Sequence, residues 1–86
     1  MDTFLAAFDA LPIGTFDGVA AGRRYIVTRS QIVSGRGDKL VAEARDGSDY
    51  ISLNLYRLAT GPLLKPCEMP SEKVIAFVLA LTPEIT

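Results

Sequence analysis

The chain has no histidine and a single cysteine, Cys67. Histidine is the side chain whose ordinary pKa suits proton transfer near neutrality, and it is missing. One thiol can close no intrachain disulfide and cannot build a thiolate zinc site. Cys67 also lacks an imidazole to activate it, although Lys65 is near in sequence, so it reads as a small apolar residue. No catalytic residue, cofactor or metal is expected, and the chain is not expected to be an enzyme. No window reaches the length of about 18 apolar residues that a membrane-spanning helix needs. The opening MDTFLAAFDALP puts Asp2 and Asp9 where a signal peptide needs a basic segment and an apolar run. A free thiol without such a signal suits a reducing cytoplasm.

Other short patterns also fail on inspection. Gly35-Arg36-Gly37 begins like a phosphate-binding loop, but Leu40 stands where the next glycine belongs and no helix follows. Arg36-Gly37-Asp38 spells an adhesion tripeptide, a chance match in a chain without a secretory signal. Asp46 and Asp49 flank a turn, where side-chain-to-backbone hydrogen bonds explain them without catalysis.

What remains is a small, apolar, β-rich chain. Its 86 residues make one domain. A chain of this size buries roughly 60–65% of its unfolded surface and is marginal without further support. With 49% hydrophobic residues and no staple, a second copy is the simplest source of that support, so a homodimer is expected. The net charge of −1 is unevenly spread. Asp2, Asp9 and Asp17 are the only charges before residue 21. Between residues 21 and 45, Arg23, Arg24, Arg29, Arg36, Lys39 and Arg45 outnumber Asp38 and Glu43. Acids prevail again beyond that point.

The segment DYISLNLYRL, from Asp49 to Leu58, alternates strictly. Ile51, Leu53 and Leu55 share one face of a β-strand; Tyr50, Ser52, Asn54 and Tyr56 share the other. Arg23–Val33 is rich in β-branched residues and reads as a long strand. Neither of its faces is cleanly apolar, so a bend, a bulge or partial two-sided burial is expected. Lys39–Arg45 alternates Leu40, Ala42 and Ala44 against Val41, Glu43 and Arg45. Ser34–Asp38 and Asp46–Asp49 read as turns, the latter around Asp-Gly. Phe16–Ala20 suits a short strand, with Gly22 turning the chain. Leu63–Met69 suits a last strand, which Pro62, Pro66 and Pro70 confine to an edge. Thr3 or Asp2 caps a first helix striped by Phe4, Phe8 and Leu11 and stopped by Pro12 and Gly14. Ser71 caps a second helix with Glu72 in its first turn, and Pro83 ends it. Its apolar residues Val74, Ile75, Phe77, Val78, Leu79 and Leu81 cover nearly the whole circumference. Either a symmetry mate or the first helix must cover what the sheet does not. The expected architecture is α+β: a four- to five-stranded antiparallel meander with a short N-terminal helix and a C-terminal helix packed on one face.

From about Arg24 to Leu81, the order of a strand ending in DGSD, then YISLNLYRLATG, then PLLKP and a helix resembles the single-stranded DNA-binding fold of the transcriptional coactivator Positive Cofactor Four. It resembles the Whirly and purine-rich-element-binding proteins more distantly. Tyr50 and Arg57 stand where that family's third strand carries aromatic and basic groups. Gly61 stands at its turn, Leu64-Lys65-Pro66 at its Leu-Lys-Pro step and Ser71-Glu72 at the start of its helix. The resemblance implies four antiparallel strands, one helix and a dimer formed through that helix, here through Val74, Phe77, Val78 and Leu81.

Tyr25, Arg29, Glu43, Arg45, Tyr50, Ser52, Asn54 and Tyr56 are expected on one open sheet face. On such a face Tyr25, Tyr50 and Tyr56 would stack bases. Arg23, Arg24, Arg29, Arg45 and Lys65 would neutralise phosphates, and Asn54 would bond a base or sugar. A small domain binding single-stranded DNA or RNA near transcription or repair is one expectation. The other is a protein-interaction module of the same fold, since Tyr and Arg also enrich protein interfaces and the pI near 5.2 suits that reading. No membrane or small-molecule partner is expected.

Overall fold

Period-two alternation carries directly into a sheet. The computed structural model describes residues 2–32 and 36–84. Its elements in chain order are α1 (Asp2–Asp9), β1 (Gly14–Ala20), β2 (Arg23–Ile32), β3 (Gly37–Ala44), β4 (Tyr50–Leu58), β5 (Gly61–Pro66), α2 (Ser71–Ala80) and β6 (Thr82–Pro83). The fold is α+β. Strands β1 to β5 form an antiparallel meander, and β6 joins beside β1, giving the order β5-β4-β3-β2-β1-β6. The sheet therefore has six strands, not four or five. The sixth is the two-residue step after α2, where Thr82 pairs with Val19 and Pro83 with Gly18.

Other boundaries also move. β1 begins earlier than Phe16, and β5 begins and ends earlier than the Leu63–Met69 expected. Gly61 opens β5 at φ +122, in the region that favours glycine. The turn expected over Ser34–Asp38 lies partly outside the described residues, and its last two residues already belong to β3. β2 shows no bulge: every residue from Arg23 to Arg29 is in register with β1, and every residue from Tyr25 to Ile32 with β3. Ser71 is the first residue of α2 and not its cap. Pro70 precedes it in extended conformation, with no side-chain cap.

Both helices lie on the same face of the sheet. Val27, Leu40, Leu53, Leu55 and Val74 are fully buried there, with Phe8, Ile51 and Val78. α1 is too short to be stable alone. It is held by Phe4 and Phe8, whose rings stack at 5.8 Å between centroids, and it packs beside α2. The first helix thus supplies the second cover that the apolar α2 requires. Val74, Phe77, Val78 and Leu81 were expected at a dimer contact, but all four are buried within the protomer. Leu79 alone among the large apolar residues of α2 remains exposed.

Among the described residues, no helix is long and apolar enough to cross a membrane.

Candidate functional site

The strand registers set out the uncovered face row by row. Ser30, Lys39, Asn54 and Lys65 lie side by side across β2, β3, β4 and β5. The next row holds Thr15, Thr28, Val41 and Ser52. The row after it holds Asp17, Ile26, Glu43 and Tyr50. At one end Tyr56 lies between Gly37 and Leu63. Among the described residues, no helix covers these rows. Ile26 is 45% exposed, Tyr50 47% and Leu63 40%, high values for such residues.

Five of the eight residues expected on this face are placed there by register: Glu43, Tyr50, Ser52, Asn54 and Tyr56. Arg45 follows at the end of β3. Two are not. Tyr25 and Arg29 point to the opposite side, beneath the helices, and are 4% and 6% exposed. Tyr25 meets Phe77 edge-on at 4.8 Å between centroids. Its hydroxyl donates to Asp49 Oδ2 at 2.7 Å. Burial first, then the Asp49 carboxylate, raises its pKa. A ring packed in this way cannot stack a base.

Arg29 has a structural task. Its Nε and Nη2 both reach Asp38 Oδ2 at 2.8 Å. Its Nη1 donates to the backbone oxygens of Phe8 at 2.9 Å and Leu11 at 2.7 Å. The Phe8 carbonyl also accepts the Leu11 N–H at 3.1 Å, so Arg29 adds a second donor there and bonds the Leu11 carbonyl just beyond α1, which has no basic residue in its own last turn. The guanidinium also lies 4.7 Å from the centre of the Phe8 ring. Arg57 reinforces the cluster: Nη2 reaches Asp9 Oδ1 at 2.7 Å and Nε lies 3.6 Å from Asp38 Oδ1. The hydrogen bond to Asp9 is the main cause of its raised pKa.

The remaining arginines expected to track phosphates also have carboxylate partners. Arg45 reaches Asp17 at 3.0 Å, Arg24 lies 3.7 Å from Glu84 and Arg23 lies 3.7 Å from Asp49. Asp49 also pairs with Lys73, whose Nζ reaches its Oδ1 at 2.8 Å. Lys73, then Tyr25, pulls the Asp49 carboxyl down to about 2. Among the described residues, Lys39 and Lys65 on the open face form no ion pair.

Lys39 and Ile26 also lie on the open face, although neither is among the residues expected there. The alternation Leu40, Ala42, Ala44 already placed Lys39 opposite them. Ile26 needed the assignment of the β2 face, which depends on Arg29.

Between the β3–β4 turn and the start of α2 a hollow of about 400 Å³ is lined by Asp49, Tyr50, Cys67, Met69 and Lys73, among others. Cys67 is half-buried there, and its backbone N–H extends the β5 pairing to Ser52 O at 3.0 Å.

No protein-family model, curated protein or solved structure matches the chain.

Proposed function

We propose that this chain is a non-catalytic protein-interaction module whose binding surface is the uncovered sheet face. The observation that carries the reading is the combination on that face of exposed Ile26, Tyr50 and Leu63 with arginines already matched to acids. Such a surface has an apolar centre with a neutralised polar rim, as protein interfaces do. The sheet edges favour a face over strand addition. β5 carries Pro62 and Pro66, and β6 is two residues long with Pro83. The single free thiol agrees with action in the cytoplasm.

Single-stranded nucleic acid is a second reading, favoured by the row Lys39–Asn54–Lys65 between Tyr50 and Tyr56 on β4. Magnitudes place it second. Two phosphate contacts give an affinity that falls only about sevenfold between roughly 50 and 200 mM salt, so the electrostatic drive is weak. Five contacts would have given a fall of about a hundredfold. The rings are also fewer than expected, because Tyr25 is buried and the Tyr56 ring leans on Gly37.

Site-specific photo-crosslinking in the producing cells tests the reading. Tyr50→p-benzoylphenylalanine is expected to give protease-sensitive adducts, and Leu79→p-benzoylphenylalanine on the back of α2 few or none. Nuclease-sensitive adducts at position 50 would transfer the face to nucleic acid. Absence of any adduct there would end both readings.

A further inference from the structure

We propose that the occupant of the open face is a second copy of this chain, docked face to face about a two-fold axis that crosses β3 at Val41. The inference rests on the protein-interaction reading above and names its partner.

Charge on β3 sets the docking. On β3, Lys39 and Glu43 stand two residues either side of Val41 on the open face, and both are exposed. Lys39 lies in the row of Ser30 and Asn54; Glu43 lies in the row of Ile26 and Tyr50. A two-fold axis in the plane of the contact, running across the strands along Thr28, Val41 and Ser52, reflects one row onto the other. Lys39 then faces Glu43 of the second copy, and Glu43 faces its Lys39. Two opposite-charge pairs form around a Val41–Val41 contact. An isologous interface requires such self-complementarity. An axis running along β3 would instead stack Lys39 on Lys39 and Glu43 on Glu43, which costs energy. The charge pattern thus selects one orientation.

The side chains suit the same docking. The row on the axis is short and nearly flat, with Thr15 and Thr28 joined through their hydroxyls at 2.9 Å. Ile26 and Tyr50 are the long apolar groups and flank the axis, where they fill the gap of about 10 Å between packed sheets. The reflection also brings Tyr50 opposite Asn54. The strands of the two sheets remain aligned, the common arrangement of β-sandwiches.

The interface differs from the one expected through α2, whose apolar residues are already buried inside the protomer. It also supplies the extra buried area that a chain of this length needs.

Charge-reversal variants examined by sedimentation velocity test it. Wild type is expected to be dimeric at about 100 µM. Lys39→Glu and Glu43→Lys, each at an exposed site, are expected to fold normally by circular dichroism and to dimerise at least tenfold more weakly. An equimolar mixture of the two variants is expected to recover a dimer, because each then faces the opposite sign. The double variant Lys39→Glu/Glu43→Lys is expected to recover it as well. A monomeric wild type, or a dimer indifferent to both reversals, overturns the proposal. If such a monomer still crosslinks a different protein through position 50, the self-docking proposal falls and the interaction reading stands. If position 50 crosslinks nothing, both fall.

Discussion

The two faces of the sheet handle charge in opposite ways. Beneath the helices, Arg29 and Asp38 are almost wholly buried, and every polar atom of the guanidinium has a partner in Asp38 or in the carbonyls that end α1. On the open face, charges stay in water and pair loosely around apolar residues, as Arg45 and Asp17 do with half of each side chain exposed. A buried ion is tolerated only where fixed partners replace its water. An exposed one adds little stability and is left for recognition. The same residue type therefore means fixation of a helix on one side and, on the interaction reading proposed above, readiness for a partner on the other.

The largest expected break in this contrast is on the covered side. Arg29→Met leaves the buried Asp38 carboxylate with only Arg57 at 3.6 Å and removes the side-chain donor from the Phe8 and Leu11 carbonyls, and should cost about 3–5 kcal/mol in a urea titration. The double variant Arg29→Met/Asp38→Leu should recover part of that loss, because no uncompensated charge remains. An equal or larger loss in the double variant would mean that the helix carbonyls, not the ion pair, dominate.

A smaller effect belongs to the other end of the covered face. Tyr25→Phe keeps the ring against Phe77 and removes only the bond to Asp49, which should cost about 1–2 kcal/mol. The Asp49 carboxyl is lowered from 3.8 to about 2 by Lys73 and Tyr25. Its contribution is therefore complete above pH 3.8 and is lost as pH falls toward 2. Lys73 is 42% exposed, so solvent screens the pair. Stability measured against pH should show a drop of about 1 kcal/mol over that interval that is absent from Asp49→Asn.

The smallest effect is expected on the open face. Arg45→Ala removes a solvent-exposed pair and should change stability by less than about 0.5 kcal/mol. A loss comparable to that of Arg29→Met would erase the distinction between the faces.

Much of the covered face was legible in the sequence. Ile51, Leu53 and Leu55 on β4, Leu40, Ala42 and Ala44 on β3, and Phe4, Phe8 and Leu11 at the N-terminus announce their burial by spacing, and all are buried. Strand β2 was not legible. Tyr25, Val27, Arg29 and Gln31 alternate with Ile26, Thr28, Ser30 and Ile32, and hydrophobicity alone favours the wrong set. What holds Arg29 on the covered face is remote in sequence: the Asp38 carboxylate and the Phe8 and Leu11 carbonyls, the latter about 20 residues earlier in the chain. The sixth strand was invisible for a similar reason: two residues carry no period, and their pairing depends on β1. For the candidate site, β4 placed Tyr50, Asn54 and Tyr56 on the uncovered side; Ser52 has the expected register but is only 5% exposed, and Tyr25 and Arg29 went astray with the face of β2.

Access of solvent to three methyl-bearing residues tests the central claim most directly. In a methyl NMR titration with a soluble paramagnetic chelate, Ile26 and Val41 should be bleached in dilute protein and shielded in concentrated protein, while Leu79 stays bleached throughout. Shielding of Leu79 with Ile26 and Val41 open at every concentration would place the partner on the helices and contradict the account.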